Sequence, residues 1–141
     1  MVMRLASEGG QLSIRELADS ERLPEPTVAK VIGRLRRSGL VTAERGRNGG
    51  YALELPADEI TIARIVEAFD DRFYDPTFCE RMTPGDAACT RSSSCGLRPV
   101  WRGLTEVVGR FLAGITVADV IQGQAPTSRD AALPVIAGQH L

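Results

Sequence analysis

The sequence predicts a mainly α-helical fold that contains one β-hairpin and has a long amphipathic helix towards its C-terminus. Two helical segments with start and stop signals come first, and two β-favouring arms joined by a glycine-rich turn follow them. Further along, apolar residues recur at three- and four-residue intervals for about five helical turns. At 141 residues, the chain has room for one core and an appended helix.

The first two predicted helices are separated by a proline-containing break. Ser13–Glu16 has the S-x-x-E form of a capping box, which predicts a helix start. Pro26 suits the first turn of the next helix, because its fixed φ matches a helix and its missing N–H is not needed there. Gly39 is expected to end this second helix.

The second helix separates into two faces. Its apolar residues at helical spacing are Val28, Val31, Ile32 and Leu35. The polar and basic residues on the other side are Thr27, Lys30, Arg34 and Arg37. Such a helix packs on a core with one face and presents cations with the other.

A β-hairpin is predicted next, with arms at 40–44 and 51–55. Its tip carries Arg45, Arg47 and Asn48 among glycines, and it is longer than the tightest turns, so we expect it to project. No Gly-Lys-Ser/Thr follows the stretch GRNGG, so a phosphate-binding loop is not indicated. The glycines permit a tight tip that lies close to a backbone.

The remaining sequence predicts a short helix in ITIARIVEAF, a loop over 70–94 and a long helix after Cys95. The apolar seam of that long helix needs a partner to cover it. Thr116–Asp119 looks like a second capping box. We divide the chain into four parts. Residues 1–70 are predicted to form a winged helix-turn-helix domain, and residues 71–96 a cysteine-bearing loop. Residues 97–122 are predicted to form a dimerisation helix region, and residues 123–141 a disordered tail.

The charge distribution indicates a local polyanion-binding surface. The net charge is only −1, but residues 28–50 contain six basic residues and one acid, whereas residues 54–86 contain nine acids and three arginines. The predicted elements have the order of a winged helix-turn-helix: a helix, a turn, a basic second helix and a basic hairpin. The fold class is therefore mainly α, with a DNA-binding winged helix-turn-helix, a two-stranded β wing and a long C-terminal dimerisation helix.

Candidate DNA contacts follow from this order of elements. Residues early in the second helix can reach base edges in the major groove, and wing cations can enter a minor groove or bind phosphates. Glu25 can accept from a cytosine amine, or can equally be a first-turn acid that the helix dipole favours. The candidates are Glu25, Thr27, Lys30 and Arg34 for the groove, and Arg45, Arg47 and Asn48 for the wing.

The three cysteines form a single cluster in the sequence, Cys79, Cys89 and Cys95, with the spacing C-x9-C-x5-C. We expect a cytoplasmic protein with no membrane segment, because no signal peptide or membrane-spanning apolar run is visible. Thiols stay reduced there, which favours metal or redox roles over disulfides. From the residues alone, an iron–sulphur cluster, structural zinc, a metal-free thiol switch and unliganded cysteines remain open.

The stretch SIRELADSERLPEPTVAKVIGRLRRSGLVTAERGRNGGYAL resembles the DNA-binding half of the winged-helix iron–sulphur transcriptional regulators that include IscR, NsrR and RirA. ITIARIVEAF, CGLRPVWRGL and FLAGITVADVI resemble the segments that follow in that family, in the same order. The resemblance covers about residues 1–122. It implies a homodimeric regulator that binds double-stranded DNA, with Cys79, Cys89 and Cys95 as ligands of a [2Fe–2S] or [4Fe–4S] cluster.

The chain departs from the family pattern at the fourth ligand. Members of the IscR type carry histidine three residues after the third cysteine, and here that residue is Arg98, which cannot ligate a metal. Other members take a carboxylate from the first helix of the partner subunit, and this chain is expected to start partway through that helix. The x9 spacing between the first two cysteines is also longer than usual. The weak candidates for a fourth ligand are Glu8, Glu80 and Asp86, and the only histidine is His140 in the tail.

The leading hypothesis is a dimeric regulator that reads a near-palindromic operator and responds to the state of its cluster, to iron, to nitric oxide or to redox conditions. The alternatives are a winged-helix regulator with structural zinc or a thiol switch, a cluster-bearing electron carrier that binds no DNA, and a winged helix that binds only proteins. An enzyme is not expected, because no nucleophile motif, acid–base constellation or dinucleotide fingerprint is visible.

Overall fold

The computed structural model describes residues 1–44, 46, 49–69 and 95–126. These residues form six helices and one two-stranded antiparallel hairpin. The helices are α1 (Val2–Glu8), α2 (Ile14–Glu21), α3 (Glu25–Arg37), α4 (Ile62–Glu67), α5 (Leu97–Ala113) and α6 (Val117–Ile121), and the strands are β1 (Val41–Glu44) and β2 (Gly50–Leu53). The predicted loop, with Cys79 and Cys89, and most of the predicted tail lie outside the described residues.

Both predicted capping boxes are confirmed. At the start of α2, the Ser13 hydroxyl accepts from the Glu16 amide at 3.2 Å, and Glu16 Oε2 accepts from the Ser13 amide at 2.8 Å. Thr116 and Asp119 make the same pair of bonds at α6, at 3.1 and 2.8 Å. Hydrogen bonds from the Ser13 amide and hydroxyl lower the pKa of Glu16. Those from the Thr116 hydroxyl and amide lower the pKa of Asp119.

The turn between α2 and α3 depends on Arg22, which has a left-handed backbone with φ of 55°. This conformation lets the Leu23 amide donate to the Ala18 carbonyl at 3.0 Å and ends α2. Pro24 then precedes α3, and the Thr27 amide donates to the Pro24 carbonyl at 2.9 Å. Pro26 is the second residue of α3, so the prediction that it lies in the first turn of the second helix is confirmed.

The hairpin is shorter than its predicted arms and is pinned to the segment before α2. Glu44 pairs with Gly50 and Val41 with Leu53, so five residues separate the strands. Leu12 adds a bridge to β2, because its amide and carbonyl exchange hydrogen bonds with Tyr51 at 3.0 and 2.8 Å. These bonds fix the base of the wing relative to α2.

The region after α5 returns to the same core. The Ile62 amide donates to the Ile115 carbonyl at 2.8 Å, and the Val117 amide donates to the Ile60 carbonyl at 2.9 Å. Val117 is fully buried and packs with the core of the winged part, so α5 and α6 are joined to that core. The fully buried core residues are Leu17, Val28, Leu40, Ile60 and Val117, with Val2, Leu5, Ala18, Ile32, Leu35 and Val41 close to fully buried.

Candidate nucleic-acid interface and thiol site

Helix α3 exposes most of the residues predicted to read DNA. Val28, Ile32 and Leu35 hold it against the core with at most 1% of their surface exposed. As a consequence of this packing, Glu25, Thr27 and Lys30 are exposed on the outer side of the first two turns. These turns can enter a groove with their side chains in front.

The N-terminus of α3 adds a second attraction for anions. No side chain caps it, because the preceding residue is Pro24, so its first amides have no side-chain acceptor. The Thr27 and Val28 amides donate to the Pro24 carbonyl at 2.9 and 3.1 Å, and Pro26 has no N–H, so it is the helix dipole that favours an anion at this end. Glu25 in the first turn also interacts favourably with that dipole, so both readings of its role are compatible with its position.

Arg34 differs from the other predicted groove residues, because it is half-buried. Its Nη1 lies 3.4 Å from the carbonyl oxygen of Phe69, two residues beyond α4, and its guanidinium carbon is 5.8 Å from the centre of the Phe69 ring. The two residues are separated by 35 positions in the sequence. No local pattern could have predicted this contact.

The wing carries the remaining predicted DNA contacts at its tip. Arg45, Arg47 and Asn48 lie outside the described residues. Around them, the Gly49 amide donates to the Gly46 carbonyl at 3.0 Å, and Gly46 has φ of 141°, which favours glycine. This bond joins the two described glycines of the tip, next to the paired ends of β1 and β2.

Cys95 is half-buried just before α5, and its thiol forms no disulfide with any described residue. The Arg98 amide donates to the Cys95 carbonyl at 3.2 Å, which brings these residues one turn apart. Cys79 and Cys89 lie outside the described part of the chain. So do Glu80, Asp86 and His140, whereas Glu8 is exposed at the end of α1 and pairs with Arg4 at 3.3 Å.

Arg98 shows an unusual feature beside Cys95. Its Nε atom is buried, and no acceptor for it is found among the described residues. A buried donor normally has a partner, so this N–H is available to an acceptor that the structure does not contain. Of the three predicted ligands, the structure describes Cys95 alone, and Arg98, one turn further on, cannot ligate a metal.

Helix α5 is covered by its own chain only in part. Phe111 and Leu112 near its C-terminal end are half-buried, and Ile115 just beyond it is buried. The apolar residues of its first two turns are exposed, with fractions of 63% for Leu97, 63% for Val100, 46% for Trp101 and 41% for Leu104. An exposed apolar stripe of this kind marks an interaction surface.

Two searches of the described residues gave negative results. They contain no group of three or more cysteine, histidine, aspartate or glutamate side chains placed to hold a metal ion. Among the helices that the structure describes, none has the length and hydropathy needed to cross a membrane.

The fold and the exposed basic helix define a winged-helix transcription regulator. Residues 1–123 match the model of the Rrf2 family, which is described as an iron-dependent transcriptional regulator, and the chain belongs to this family. The resemblance to this family that was stated from the sequence is therefore confirmed. The predicted fold, mainly α-helical with a winged part and a long C-terminal helix, is confirmed as well.

Two relatives illustrate the similarity in sequence. The HTH-type transcriptional regulator IscR of Serratia proteamaculans (strain 568) is 30% identical over 120 residues, which are 85% of this chain and 70% of that protein. Protein aau3 of Rhizobium meliloti (strain 1021) is 34% identical over 125 residues, which are 88% of this chain and 79% of that protein. The relatives described by function are transcription regulators and not enzymes, in agreement with the expectation from the sequence.

Solved structures share the fold. T. potens IscR superposes with a TM-score of 0.60 at 26% identity, and the match covers 86% of this chain and 78% of that one. CymR, the global cysteine regulator of B. subtilis, gives 0.66 at 22% identity, covering 86% and 88%. At that identity, CymR supports the architecture alone.

Proposed function

We propose that this protein is a homodimeric, sequence-specific DNA-binding regulator whose affinity for its operator is controlled by an iron–sulphur cluster. The observation that carries the proposal is the exposed outer side of α3, where Glu25, Thr27 and Lys30 project from a helix packed rigidly on the core. The family, whose description is iron-dependent transcriptional regulation, supports it.

In the proposed complex, the first turns of α3 enter the major groove. Thr27 and Lys30 reach base edges or flanking phosphates, and Glu25 accepts from a cytosine amine. Arg45, Arg47 and Asn48 at the wing tip bind the backbone or enter a minor groove. The bridge between Leu12 and Tyr51 supports this division of roles, because it holds the base of the wing in a fixed position relative to α2.

The proposed dimer forms through the first two turns of α5. Leu97, Val100, Trp101 and Leu104 are exposed there on one stripe, and a second copy of the chain would cover them with the same residues. A two-fold dimer reads a near-palindromic operator, with half-sites about 34 Å apart.

The proposed cluster ligands are Cys79, Cys89 and Cys95. A cluster of either type, [2Fe–2S] or [4Fe–4S], would supply an iron centre that responds to oxidants, to nitric oxide and to iron supply. Arg98 is suited to donate a hydrogen bond to sulphur, because its Nε is buried without a partner and the residue follows Cys95 by one helical turn. The fourth ligand is then a group other than a cysteine of this chain.

Control of DNA binding follows from the position of Cys95. This residue directly precedes α5, and the exposed apolar stripe begins two residues later at Leu97. When Cys95 is held as a ligand, it fixes the start of α5 and so the geometry of the dimer. The separation of the two α3 helices, and with it the fit to both half-sites, depends on that geometry.

The test is anaerobic purification, followed by absorption spectroscopy, iron, sulphide and zinc assays, and DNA titrations of the same sample. We expect absorbance near about 400 nm with matched iron and sulphide, lost in Cys89→Ala. Operator affinity should differ between the loaded and the emptied protein, and Lys30→Gln should weaken binding and reduce the salt slope by about 1. A protein that binds DNA equally well with and without iron contradicts cluster control.

A thiol switch or structural zinc is the second candidate, and it is favoured by one observation. Cys95 is partly accessible and forms no disulfide with a described residue, so it is open to oxidation or to zinc. A colourless protein with stoichiometric zinc would make the cysteine-bearing loop a structural clasp. Colourless, metal-free protein that binds DNA differently after oxidation would support the switch.

A further inference from the structure

The turn between α2 and α3 contains an arginine in a backbone conformation that suits glycine. Arg22 has φ of 55° and ψ of 43°, and in the part of the chain that the structure describes it is the one residue other than glycine with a positive φ. A side chain in this left-handed region costs free energy that glycine avoids. The turn does not need an arginine for its conformation, so the reason for this residue lies in its side chain.

The side chain of Arg22 is exposed, and it forms no ion pair with any of the described residues. The carboxylate next to it in the chain, Glu21, pairs with the amino group of Met1 instead. The dipole of α2 favours a cation at its C-terminal end, which would give Arg22 a purely stabilising role. The guanidinium is therefore free to bind an anion, and its effect on stability has to be measured separately.

Arg22 belongs to the same exposed surface as the candidate groove residues. Every residue from 22 to 27 is exposed, so the turn continues into the first turn of α3 without a buried residue. Arg22 precedes Glu25, the first residue of α3, by three positions, and their Cα atoms are therefore at most about 11 Å apart. A major groove is about 12 Å wide. When the first turns of α3 lie in the groove, Arg22 is beside a phosphate strand that borders it.

We propose that Arg22 binds a backbone phosphate of DNA beside the major groove, so that the turn between α2 and α3 is a third DNA-contacting element next to α3 and the wing. This inference rests on the proposed function, because it requires α3 in the groove. The dipole of α3 favours an anion at the same end, and a guanidinium can donate to two phosphate oxygens at once. A phosphate contact carries no sequence information, so Arg22 raises the affinity for every duplex.

The experiment measures the affinity of the full-length protein for two duplexes over a range of salt concentrations. One duplex is selected by the wild-type protein from a random-sequence pool, and the other has a mixed sequence. Arg22→Gln removes the charge and keeps the left-handed strain, Arg22→Gly removes both, and Arg22→Lys keeps both. Arg102→Gln, at an exposed position of α5, is the matched control for the loss of one positive charge, and Lys30→Gln is the comparison on α3. Urea unfolding gives the stability of each variant.

Arg22→Gln and Arg22→Gly should weaken binding to both duplexes alike, by about fivefold, and should each reduce the salt slope by about 1. Arg22→Lys should keep the salt slope of the wild type, because lysine also binds phosphate as a point charge. Arg102→Gln should leave affinity and slope unchanged. Since Arg22→Gly relieves the strain in the turn, its weaker binding cannot be attributed to unfolding.

Three results would contradict the inference, and one of them reaches further. Unchanged affinity and slope in Arg22→Gln, together with the expected loss in Lys30→Gln, would overturn the phosphate contact and leave DNA binding through α3 intact. A lower stability of Arg22→Gln with an unchanged slope would show that Arg22 acts only on the dipole of α2. Wild-type binding that does not depend on salt for either duplex would remove the proposed mode of DNA binding itself, and the phosphate contact with it.

Discussion

Gly50 lies so close to the main chain of Leu12 that a Cβ atom on Gly50 would be 3.0 Å from the carbonyl carbon and oxygen of Leu12. Leu12 cannot easily withdraw, because it exchanges two hydrogen bonds with Tyr51, the neighbour of Gly50. The first residue of β2 must therefore be glycine for a reason of space, and not of backbone conformation.

Gly50→Ala is expected to lower the free energy of unfolding by about 1–3 kcal/mol, the usual cost of forcing a methyl group into a packed site. Gly10→Ala is the matched control, because the nearest atom to its Cβ would be the Glu8 carbonyl oxygen at 3.9 Å, an ordinary contact. Urea unfolding of both variants measures the difference. If Gly50→Ala and Gly10→Ala are equally stable, the start of β2 can move away from Leu12 to make room for the methyl group.

Arg22→Gly is expected to stabilise the protein by about 1 kcal/mol, because a left-handed backbone costs a non-glycine residue roughly that amount. The φ of 55° at Arg22 ends α2 and is required for the turn into α3. Lys30→Gly, in the middle of α3, should have the opposite effect and destabilise by about 0.8 kcal/mol. A loss of stability in Arg22→Gly would mean that the arginine side chain stabilises the folded protein by more than the left-handed backbone costs.

Acid unfolding should depend on the carboxylate of Glu16. The Ser13 amide and hydroxyl lower the pKa of Glu16 in the folded protein, so its contribution is present at neutral pH. That contribution is lost as the pH falls below the ordinary carboxyl range and through the lowered native pKa. In Glu16→Gln, stability should fall at neutral pH and depend less steeply on acid, as measured by thermal unfolding across pH.

Glu59→Gln, which removes an exposed carboxyl outside any helix cap, controls for the loss of charge alone. If the stability of both variants falls in the same way at low pH, the capping box at Ser13 does not set the pH dependence of stability. Asp119, whose pKa Thr116 lowers, should behave as Glu16 does when it is replaced by asparagine.

Leu104→Glu is expected to convert the proposed dimer into monomers. The side chain is 41% exposed in the single chain, and in the proposed dimer it would place a carboxylate in an apolar seam. The dimer Kd should rise at least about 30-fold, the effect of losing one interface hot spot. Sedimentation equilibrium measures the change, and Arg102→Glu on the other side of α5 is the control. A dimer that survives Leu104→Glu would place the interface elsewhere.

Arg98→His is expected to strengthen iron retention, because an imidazole can ligate iron and a guanidinium cannot. Arg98→Gln, which removes the buried Nε donor without adding a comparable ligand, should lose iron about 10-fold faster, as other changes around metal ligands do. The rate of iron release to a chelator and the absorption spectrum separate the two variants. Identical release rates in all three proteins would show that Arg98 does not face the proposed cluster.

The sequence predicted the elements of this fold where their signals are local. Ser13–Glu16 and Thr116–Asp119 each contain a complete capping box within four residues, and Pro26 marks the start of α3 from its own chemistry. The strands of the hairpin end at Val41 and Leu53, and one further hydrogen bond, from the Glu54 amide to the Leu40 carbonyl at 3.1 Å, extends towards the ends of the predicted arms.

Contacts between distant residues could not be predicted in this way. Arg34 fits the exposed face of α3 by periodicity, but its partner Phe69 is set by the packing of α4. The bond between Val117 and Ile60 likewise depends on the path of the chain after α5. The candidate DNA contacts on α3 were predictable because exposure follows helical spacing. The unpaired Nε of Arg98 was not predictable, because its burial depends on packing.

The hydrogen bonds from Ile62 to Ile115 and from Val117 to Ile60 join the segment after α5 to the core, so we expect the described residues to unfold as one cooperative unit. Because Val117 fills the core from beyond the long helix, shortening the chain before residue 115 would leave a cavity under the DNA-reading helices. Heat or denaturant should melt the proposed DNA-binding and dimerisation parts in a single transition. A damaged molecule would then lose both abilities together, and would not persist as a half-folded chain that still occupies DNA.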